Sequence, residues 1–285
     1  MRILILAAGW AVVLTFAFLC GCESKEARKA REAREEKEAE AYYEEAEAHY
    51  EAVRWEEAIT AYKKAVALKP DYAEAHFGMG FVYFRMGRGL MLDDHIEAMA
   101  RYKRGIAAFE SAVALKPDYA EAYCYMGDCY RFYLDCKRDP PYDEGPDYYN
   151  AHREGGAAYK KAIALKPDYI RAYYGMAHFC GSLERITIYK KIVAIKPDEA
   201  TAYLFMGFAY TELGRHADAI TVYKKAIEQD DATAYFYMGK AYENIEQYPE
   251  AIVAYKKYIA LGPTAYFSGV ASERIEELST TQPAD

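Results

Sequence analysis

One short block of sequence recurs along this chain, and the repetition constrains the fold more than any other feature. In each copy a lysine pair or its equivalent leads into an alanine-rich stretch, a breaker of the type Lys-Pro-Asp and then an aromatic helix. The six copies fall at 63–80, 111–127, 160–177, 190–207, 224–239 and 256–269. Such self-similarity is typical of a stack of supersecondary units, none of which can bury its apolar face alone. We therefore look for function on the surface of a stack and not in one enclosed pocket.

The spacing of apolar residues predicts that each unit is a pair of amphipathic helices. In the unit 200–231, one face of a first helix and the inner face of a second helix are marked by apolar and small residues at helical intervals. They are Tyr203, Met206, Gly207 and Tyr210, followed by Ala219, Ile220, Tyr223, Ala226 and Ile227. Small residues at Gly207 and Ala219 predict a close approach of the two helix backbones. The breaker then ends the second helix, because proline disfavours a helical residue before it.

These residues resemble the tetratricopeptide repeat, a 34-residue helix pair with an aromatic at place 4, Gly or Ala at place 8 and Ala at place 20. Tyr at place 11, an aromatic at place 24, Ala at place 27 and Pro at place 32 complete the pattern. Residues 39–72 match at full length, through Tyr42, Ala46, Ala58, Tyr62, Ala65 and Pro70, with His49 where Tyr is usual. The resemblance implies an all-α, right-handed superhelical solenoid of about six helix pairs with a C-terminal capping helix. It says little about function, because the motif residues are packing residues.

The resemblance divides residues 39–264 into six units. Their expected bounds are 39–72, 73–119, 120–169, 170–199, 200–231 and 232–263. After them we expect a capping helix at 265–279, with Glu273, Arg274, Glu276 and Glu277 on its outer side, and a disordered tail at 280–285.

Three units depart from the standard length. The second and third carry insertions between their helices, and the fourth lacks four residues near Ser182 to Arg185. In the second, Asp94 followed by Glu97 predicts a capped helix that runs to Leu115. In the third, 135–147 reads as a loop that ends in a helix start at Pro146, and Gly155-Gly156 is expected to kink or weaken that helix. Both insertions would emerge on one edge, either as a partner-binding or self-association ridge or as a tolerated decoration.

The amino terminus reads as an export signal. Arg2 precedes an apolar run from Ile3 to Leu19, and Leu19-Cys20-Gly21-Cys22 follows. This ending resembles the lipobox of bacterial lipoproteins, which implies cleavage after residue 21 and lipid attachment at Cys22. The alternative is an uncleaved membrane anchor, since the run is just long enough to span. Either reading places the remaining chain in the cell envelope, outside the cytoplasm, anchored to a membrane of unspecified identity.

Residues 22–38 consist almost wholly of alanine and charged residues, and we expect a solvated helical tether. Cys124, Cys129, Cys136 and Cys180 lie in the exported part, where disulfides are permitted. Buried thiols are the favoured interpretation, with a Cys129–Cys136 or a Cys124–Cys180 disulfide as alternatives. A zinc site lacks paired Cys-x-x-Cys spacing.

No catalytic constellation is found in the sequence. Its sharpest candidate, Asp93-Asp94-His95, is better explained as a charged helix start. We therefore expect no enzymatic activity, no cofactor, no metal and no small-molecule substrate. The formal net charge of −8, with basic and acidic residues interleaved, argues against nucleic acid as a partner.

The concave wall of the predicted solenoid is the candidate site. In tetratricopeptide arrays, places 2, 5, 9 and 12 of the first helices face a bound segment, so the resemblance implies a peptide-binding groove. Its candidate residues are Tyr43, Phe77, Phe81, Phe84, Arg131, Tyr174, Phe208 and Phe236. Tyr50, Arg171 and Lys240 lie at related positions. An aromatic groove of this kind suits an apolar or extended segment, or a helix laid in it.

We therefore expect a non-catalytic protein-interaction scaffold that is lipid-anchored outside the cytoplasm and binds an envelope protein. The alternative is an assembly factor for an envelope machine, similar to pilotin or outer-membrane-assembly lipoproteins. The sequence does not identify the partner or the oligomeric state.

Overall fold

The computed structural model describes residues 23–137, 146–262 and 265–281. This part of the chain holds thirteen α-helices and no strand. The helices are α1 Lys25–Glu51, α2 Trp55–Leu68, α3 Ala73–Leu90, α4 His95–Leu115, α5 Ala120–Lys137, α6 Pro146–Leu165, α7 Ile170–Ala177, α8 Ser182–Ile195, α9 Ala200–Glu212, α10 His216–Glu228, α11 Thr233–Glu243, α12 Tyr248–Ala260 and α13 Ala265–Thr281. The expected all-α architecture of six helix pairs and a terminal helix is confirmed.

The chain divides into two compact units, Met1–Asp118 and Tyr119–Asp285. We expected one continuous solenoid from the repeats; the first compact unit holds the first two helix pairs, and the second holds the other four and the terminal helix. Cys22 and the predicted signal segment 1–21 lie outside the described residues, as do 138–145 of the predicted loop and 282–285 of the predicted tail. Among the described helices, none is both long and apolar enough to cross a membrane.

The Lys-Pro breakers end the second helices in the same way each time. Lys69 leaves helix α2 with φ −129° and ψ 85°, and Lys116 leaves α4 with φ −131° and ψ 85°. Lys196 leaves α8 at φ −134° and ψ 92°. Each of the three precedes a proline, whose ring excludes the helical conformation from the residue before it. The repeated breaker therefore fixes both the end of a helix pair and the exit direction of the chain.

A glycine on a first helix receives a tyrosine ring from a second helix, and we call this contact the glycine–tyrosine notch. A Cβ atom built on Gly207 would lie 2.1 Å from Tyr223 Cε1, and one on Gly239 would lie 2.7 Å from Tyr255 Cε1. Tyr223 and Tyr255 are fully buried. The same contact recurs as Gly78 with Tyr62, and as Gly127 and Gly175 with Tyr159. Gly207 thus accommodates the ring of Tyr223, a contact that we did not expect from the sequence.

Helix α1 joins the predicted tether to the first repeat without a break. Ser24 caps it by accepting a hydrogen bond from the Ala27 backbone N–H at 3.1 Å. Its 27 residues correspond to about 40 Å of helix. The charged part is exposed up to Glu38, and Glu36 pairs with Lys69 at 2.7 Å. The tether is therefore an extension of a repeat helix and is fastened to the turn after α2.

The two insertions lengthen helices on both sides of their connections. Helix α4 begins at His95, with the Asp94 carboxylate accepting from the Glu97 N–H at 3.0 Å, so the predicted cap is confirmed. Helix α3 is also extended, to 18 residues. Helix α5 continues to Lys137 into the predicted loop, and α6 begins at Pro146. Gly155 lies in a continuous helix, where a Cβ would lie 2.6 Å from Phe179 Cζ. The close approach of Phe179 is therefore the reason for a glycine at this position, and no kink is needed to account for it.

The last helix differs from expectation in two respects. It extends to Thr281, so residues 280 and 281, which we expected in a disordered tail, are helical. Arg274, expected on the outer side, instead turns back to α11 and donates hydrogen bonds to the Glu243 carboxylate. Its guanidinium neutralises an acid that also accepts a hydrogen bond from the buried Tyr255 hydroxyl. The terminal helix thus supplies a charge partner as well as an apolar lid.

The glycine–tyrosine notch predicts a steric penalty at Gly207. Replacing Gly207 by Ala should lower the free energy of unfolding by about 1–3 kcal/mol, because the added methyl group overpacks against Tyr223. The higher helix propensity of alanine should offset up to about 1 kcal/mol of that loss. The control is Gly269→Ala on α13, where a Cβ would meet nothing within 4 Å. That control should be neutral or slightly stabilising in urea unfolding followed by circular dichroism. Equal effects of the two substitutions would contradict the steric account.

Candidate functional site

The first unit carries a strip of aromatic side chains on its two first helices. Tyr43 and Tyr50 lie on α1, and Phe77 and Phe81 lie on α3; all four are half-buried. The ring centroids of Tyr50 and Phe81 are 5.6 Å apart, and those of Phe77 and Phe81 are 6.3 Å apart in a stacked arrangement. The strip therefore links the two helices and still presents part of each ring at the surface.

Phe84 does not belong to this strip, contrary to expectation. It is 2% exposed, and its ring lies 6.5 Å from that of Tyr102 on α4. The reason is that α4 is lengthened by the insertion and covers this part of α3. Phe84 is a core residue.

Acidic residues border the aromatic strip of the first unit. Glu47 accepts a hydrogen bond from the buried Tyr62 hydroxyl. Burial, followed by the negative charge of Glu47, raises the pKa of Tyr43 to about 12. Glu74 pairs with Lys116 at 3.0 Å, and that hydrogen bond lowers the Glu74 pKa. The Tyr43 hydroxyl is therefore protonated at physiological pH and lies beside negative charge.

The second unit contains a cleft of about 590 Å³, and we refer to it as the α9 cleft. Thr201, Phe205, Phe208 and Glu212 follow one face of α9 at helical spacing, and Tyr174 and Ala177 of α7 face them. His178, Cys180, Arg185 and Tyr189 complete the lining. The volume is in the range of ligand-binding pockets, about 300–1,000 Å³. Two of the predicted groove residues, Tyr174 and Phe208, thus meet in one depression.

Rings in the α9 cleft support one another through edge contacts. Tyr174 and Phe205 are T-shaped with centroids 6.1 Å apart, and Phe205 lies 5.8 Å from Phe208. The Tyr174 hydroxyl donates to Glu199 at 3.1 Å. Burial and then the Glu199 charge raise the Tyr174 pKa above its usual range. The wall is therefore preorganised, with its polar tips already satisfied.

Phe236 lies in the core of the second unit and not in a groove. It is 3% exposed and packs against Tyr255, Tyr258 and Phe267, with centroid distances of 5.7, 5.4 and 4.9 Å. Phe267 belongs to α13, so the terminal helix covers a face of α11. From the position of Phe236 in its repeat, we expected that face to be exposed. Lys240 is exposed nearby, 5.9 Å above the Phe236 ring.

Arg131 and Arg171 surround a buried acid that sequence reasoning missed. Asp128 on α5 is 4% exposed and accepts from Arg171 Nη2 at 2.6 Å and from the Tyr159 hydroxyl at 2.5 Å. Arg131 Nη2 lies 3.7 Å from Asp128 Oδ1, the same oxygen that accepts from Tyr159. The two arginines are charge partners of Asp128, which reduces their value as positive points for a ligand. The signal in the sequence is an acid between two cysteines and beside a notch glycine, Gly127.

Cys124, Cys129 and Cys180 are thiols and not disulfide partners. This removes both pairings considered above. Burial, followed by the Asp128 charge, raises the pKa of Cys124 to about 12, and burial raises that of Cys180 to about 11. Both are therefore weak nucleophiles at neutral pH. Within the described ranges, no group of three or more His, Cys, Asp or Glu side chains is placed to hold a metal ion.

The buried carboxylate predicts a stability contribution that an exposed pair lacks. Asp128→Ala should lower the free energy of unfolding by about 1–3 kcal/mol, because the Tyr159 hydroxyl loses its buried acceptor. The matched control is Glu228→Ala, which breaks an exposed pair with Lys225 and should cost at most about 0.5 kcal/mol. Urea unfolding of both variants checks this. Equal small losses would show that Asp128 is replaceable by water.

The sequence and the fold both match proteins with tetratricopeptide repeats. Residues 46–87 and 207–246 match one tetratricopeptide repeat model, and residues 233–263 match a second. A search of curated protein sequences finds no significant match.

Three solved structures illustrate the likeness in fold. A crystal structure of MamA protein is 24% identical, with 69% of this chain and 93% of that chain covered and a TM-score of 0.54. MamA from Desulfovibrio magneticus RS-1, from residue 41 to its end, is 17% identical, with coverages of 68% and 95% and a TM-score of 0.54. PilF of Pseudomonas aeruginosa is 13% identical, with coverages of 87% and 99% and a TM-score of 0.53. At these identities the likeness concerns the fold. The chain therefore contains tetratricopeptide repeats and folds as the helical solenoids built from them do.

Proposed function

We propose that this chain is a non-catalytic scaffold that binds a segment of another protein against the aromatic side chains of its first helices. The α9 cleft is the observation that carries this proposal. Phe205 and Phe208 form a rigid apolar wall there, and Glu212 and Arg185 form a polar edge. Aromatic surface with a polar rim is the composition of protein-binding surfaces. The tetratricopeptide matches support the same function class.

Preorganisation favours binding at these rings. The half-buried aromatics are held by ring contacts within their own unit, such as Tyr50 with Phe81 and Phe205 with Phe208. A partner therefore gains apolar contact without ordering loose side chains, which is a main cost of association. The first unit adds acidic residues beside its strip, which favours a segment with apolar and basic residues.

We further propose that the protein is attached by lipid at Cys22 and works outside the cytoplasm. The apolar run Ile3 to Leu19 and the Leu19-Cys20-Gly21-Cys22 ending support this. Helix α1 supports it as well, because its charged, exposed start would hold the repeats about 20 Å from the attachment point.

A second candidate is an assembly factor for an envelope machine. It is favoured by the continuity of α1 with the first repeat, because a stiff connection suits a protein that positions its partner relative to a membrane. The two candidates differ in the partner that they predict.

Site-specific photo-crosslinking in cells tests the binding surface. A photoreactive amino acid at Tyr43 or Phe208 should trap the same partner repeatedly. The matched controls are Lys63 on α2 and Thr221 on α10, which are exposed on second helices of the same two units and should trap nothing specific. Identical bands from all four positions would contradict the assignment of the binding surface. A trapped subunit of an envelope assembly would favour the second candidate.

Metabolic labelling with a palmitate analogue tests the anchor. Cys22→Ala should abolish the label, because the modified thiol is lost. The neighbouring variant Cys20→Ala should keep the label and serves as the control. A wild-type protein that takes up no label but stays in the membrane fraction would instead support the uncleaved anchor.

A further inference from the structure

Helix α7 is the shortest first helix in the described part of the chain, and its shortness shapes the α9 cleft. It has 8 residues, whereas the other first helices have 11 or more. It ends at Ala177, and the second helix of that pair starts at Ser182. The four-residue deletion seen in the sequence has therefore removed the last turn of the first helix.

Without that turn, the start of α8 is uncovered. Arg185 and Tyr189 belong to a second helix, yet both line the α9 cleft together with first-helix residues. The side chain of Arg185 is 27% exposed and pairs with Glu212 on α9. The cleft is thus deepened by the missing turn and closed at one end by an ion pair.

We infer that this deepened end of the α9 cleft is a socket for one aromatic side chain with a hydrogen-bond donor, a tyrosine or tryptophan of the bound segment. The inference rests on the proposed function and adds the residue class that the segment must carry. Phe205 and Phe208 offer ring faces and edges, and aromatic pairs prefer such offset or edge-to-face contacts.

The polar end selects the chemistry of the ring substituent. Glu212 is held by Arg185 and by the Ser182 hydroxyl, which donates at 2.6 Å, and its carboxylate is 47% exposed. It therefore has acceptor capacity left for an incoming N–H or O–H group. A cationic side chain would meet the charge of Arg185, and an anionic one would meet that of Glu212. A neutral donor on an aromatic ring meets neither penalty.

Selection from random twelve-residue peptides displayed on phage, with the full-length protein as bait, tests the socket. His178 is exposed where α7 ends and lines the cleft, so His178→Trp fills the deepened end without entering the core. The matched control, Thr221→Trp, places the same side chain on an exposed position of α10 outside the cleft.

We expect enriched peptides to share a tyrosine or tryptophan, and to bind the His178→Trp protein about tenfold or more weakly, as loss of one anchor residue implies. The Thr221→Trp protein should bind them unchanged. Glu212→Leu should reduce the preference for tyrosine over phenylalanine at the anchor, since the acceptor is lost.

Two results would overturn the socket while leaving the proposed function intact. One is enriched peptides that bind both tryptophan variants equally well. The other is enriched peptides that are sensitive to His178→Trp but carry an aliphatic or charged anchor. A failure to enrich any peptide over empty matrix would count against the socket and the proposed function together.

Discussion

The glycine–tyrosine notch is the contact on which the rest of this structure depends. A phenol ring occupies the space that a side chain on the glycine would need, so a ring of one helix packs directly against the backbone of another. The hydroxyl explains why the ring is tyrosine and not phenylalanine. In three of the notches it reaches an acid on a first helix, Glu47, Asp128 or Glu243, and at Tyr223 it lies 3.3 Å from the Thr211 hydroxyl. Burial raises the pKa of these phenols, so they stay protonated donors.

Much of the fold could be predicted from the sequence, because the relevant signals are local. A proline restricts the backbone of the residue before it, and the Asp94 side chain accepts a hydrogen bond from a backbone N–H three residues later. Helix ends could therefore be predicted from short stretches of sequence. The six pairs followed from repetition. The two-unit division did not, because it depends on how densely helices far apart in sequence contact each other.

The candidate site was predicted less well, for a different physical reason. A repeat position specifies a direction on a helix but not what lies in that direction. Phe81 and Phe84 share the same chemistry, yet the lengthened α4 buries one of them. Phe208 and Phe236 both hold places expected to face the groove, yet α13 covers Phe236. Asp128 was missed because its burial depends on Arg171, 43 residues away.

Helix α1 has a geometric consequence for whatever precedes it. Because the helix passes from the charged segment into the first repeat without interruption, a change in the length of that segment rotates the first unit about the helix axis. Each residue added to or removed from the charged segment would turn the first unit by about 100° about the helix axis and move it by about 1.5 Å. The length of that segment therefore sets the direction in which the aromatic strip faces around the helix axis. Deletions of three or four residues would nearly preserve that direction, whereas a two-residue deletion would reverse it.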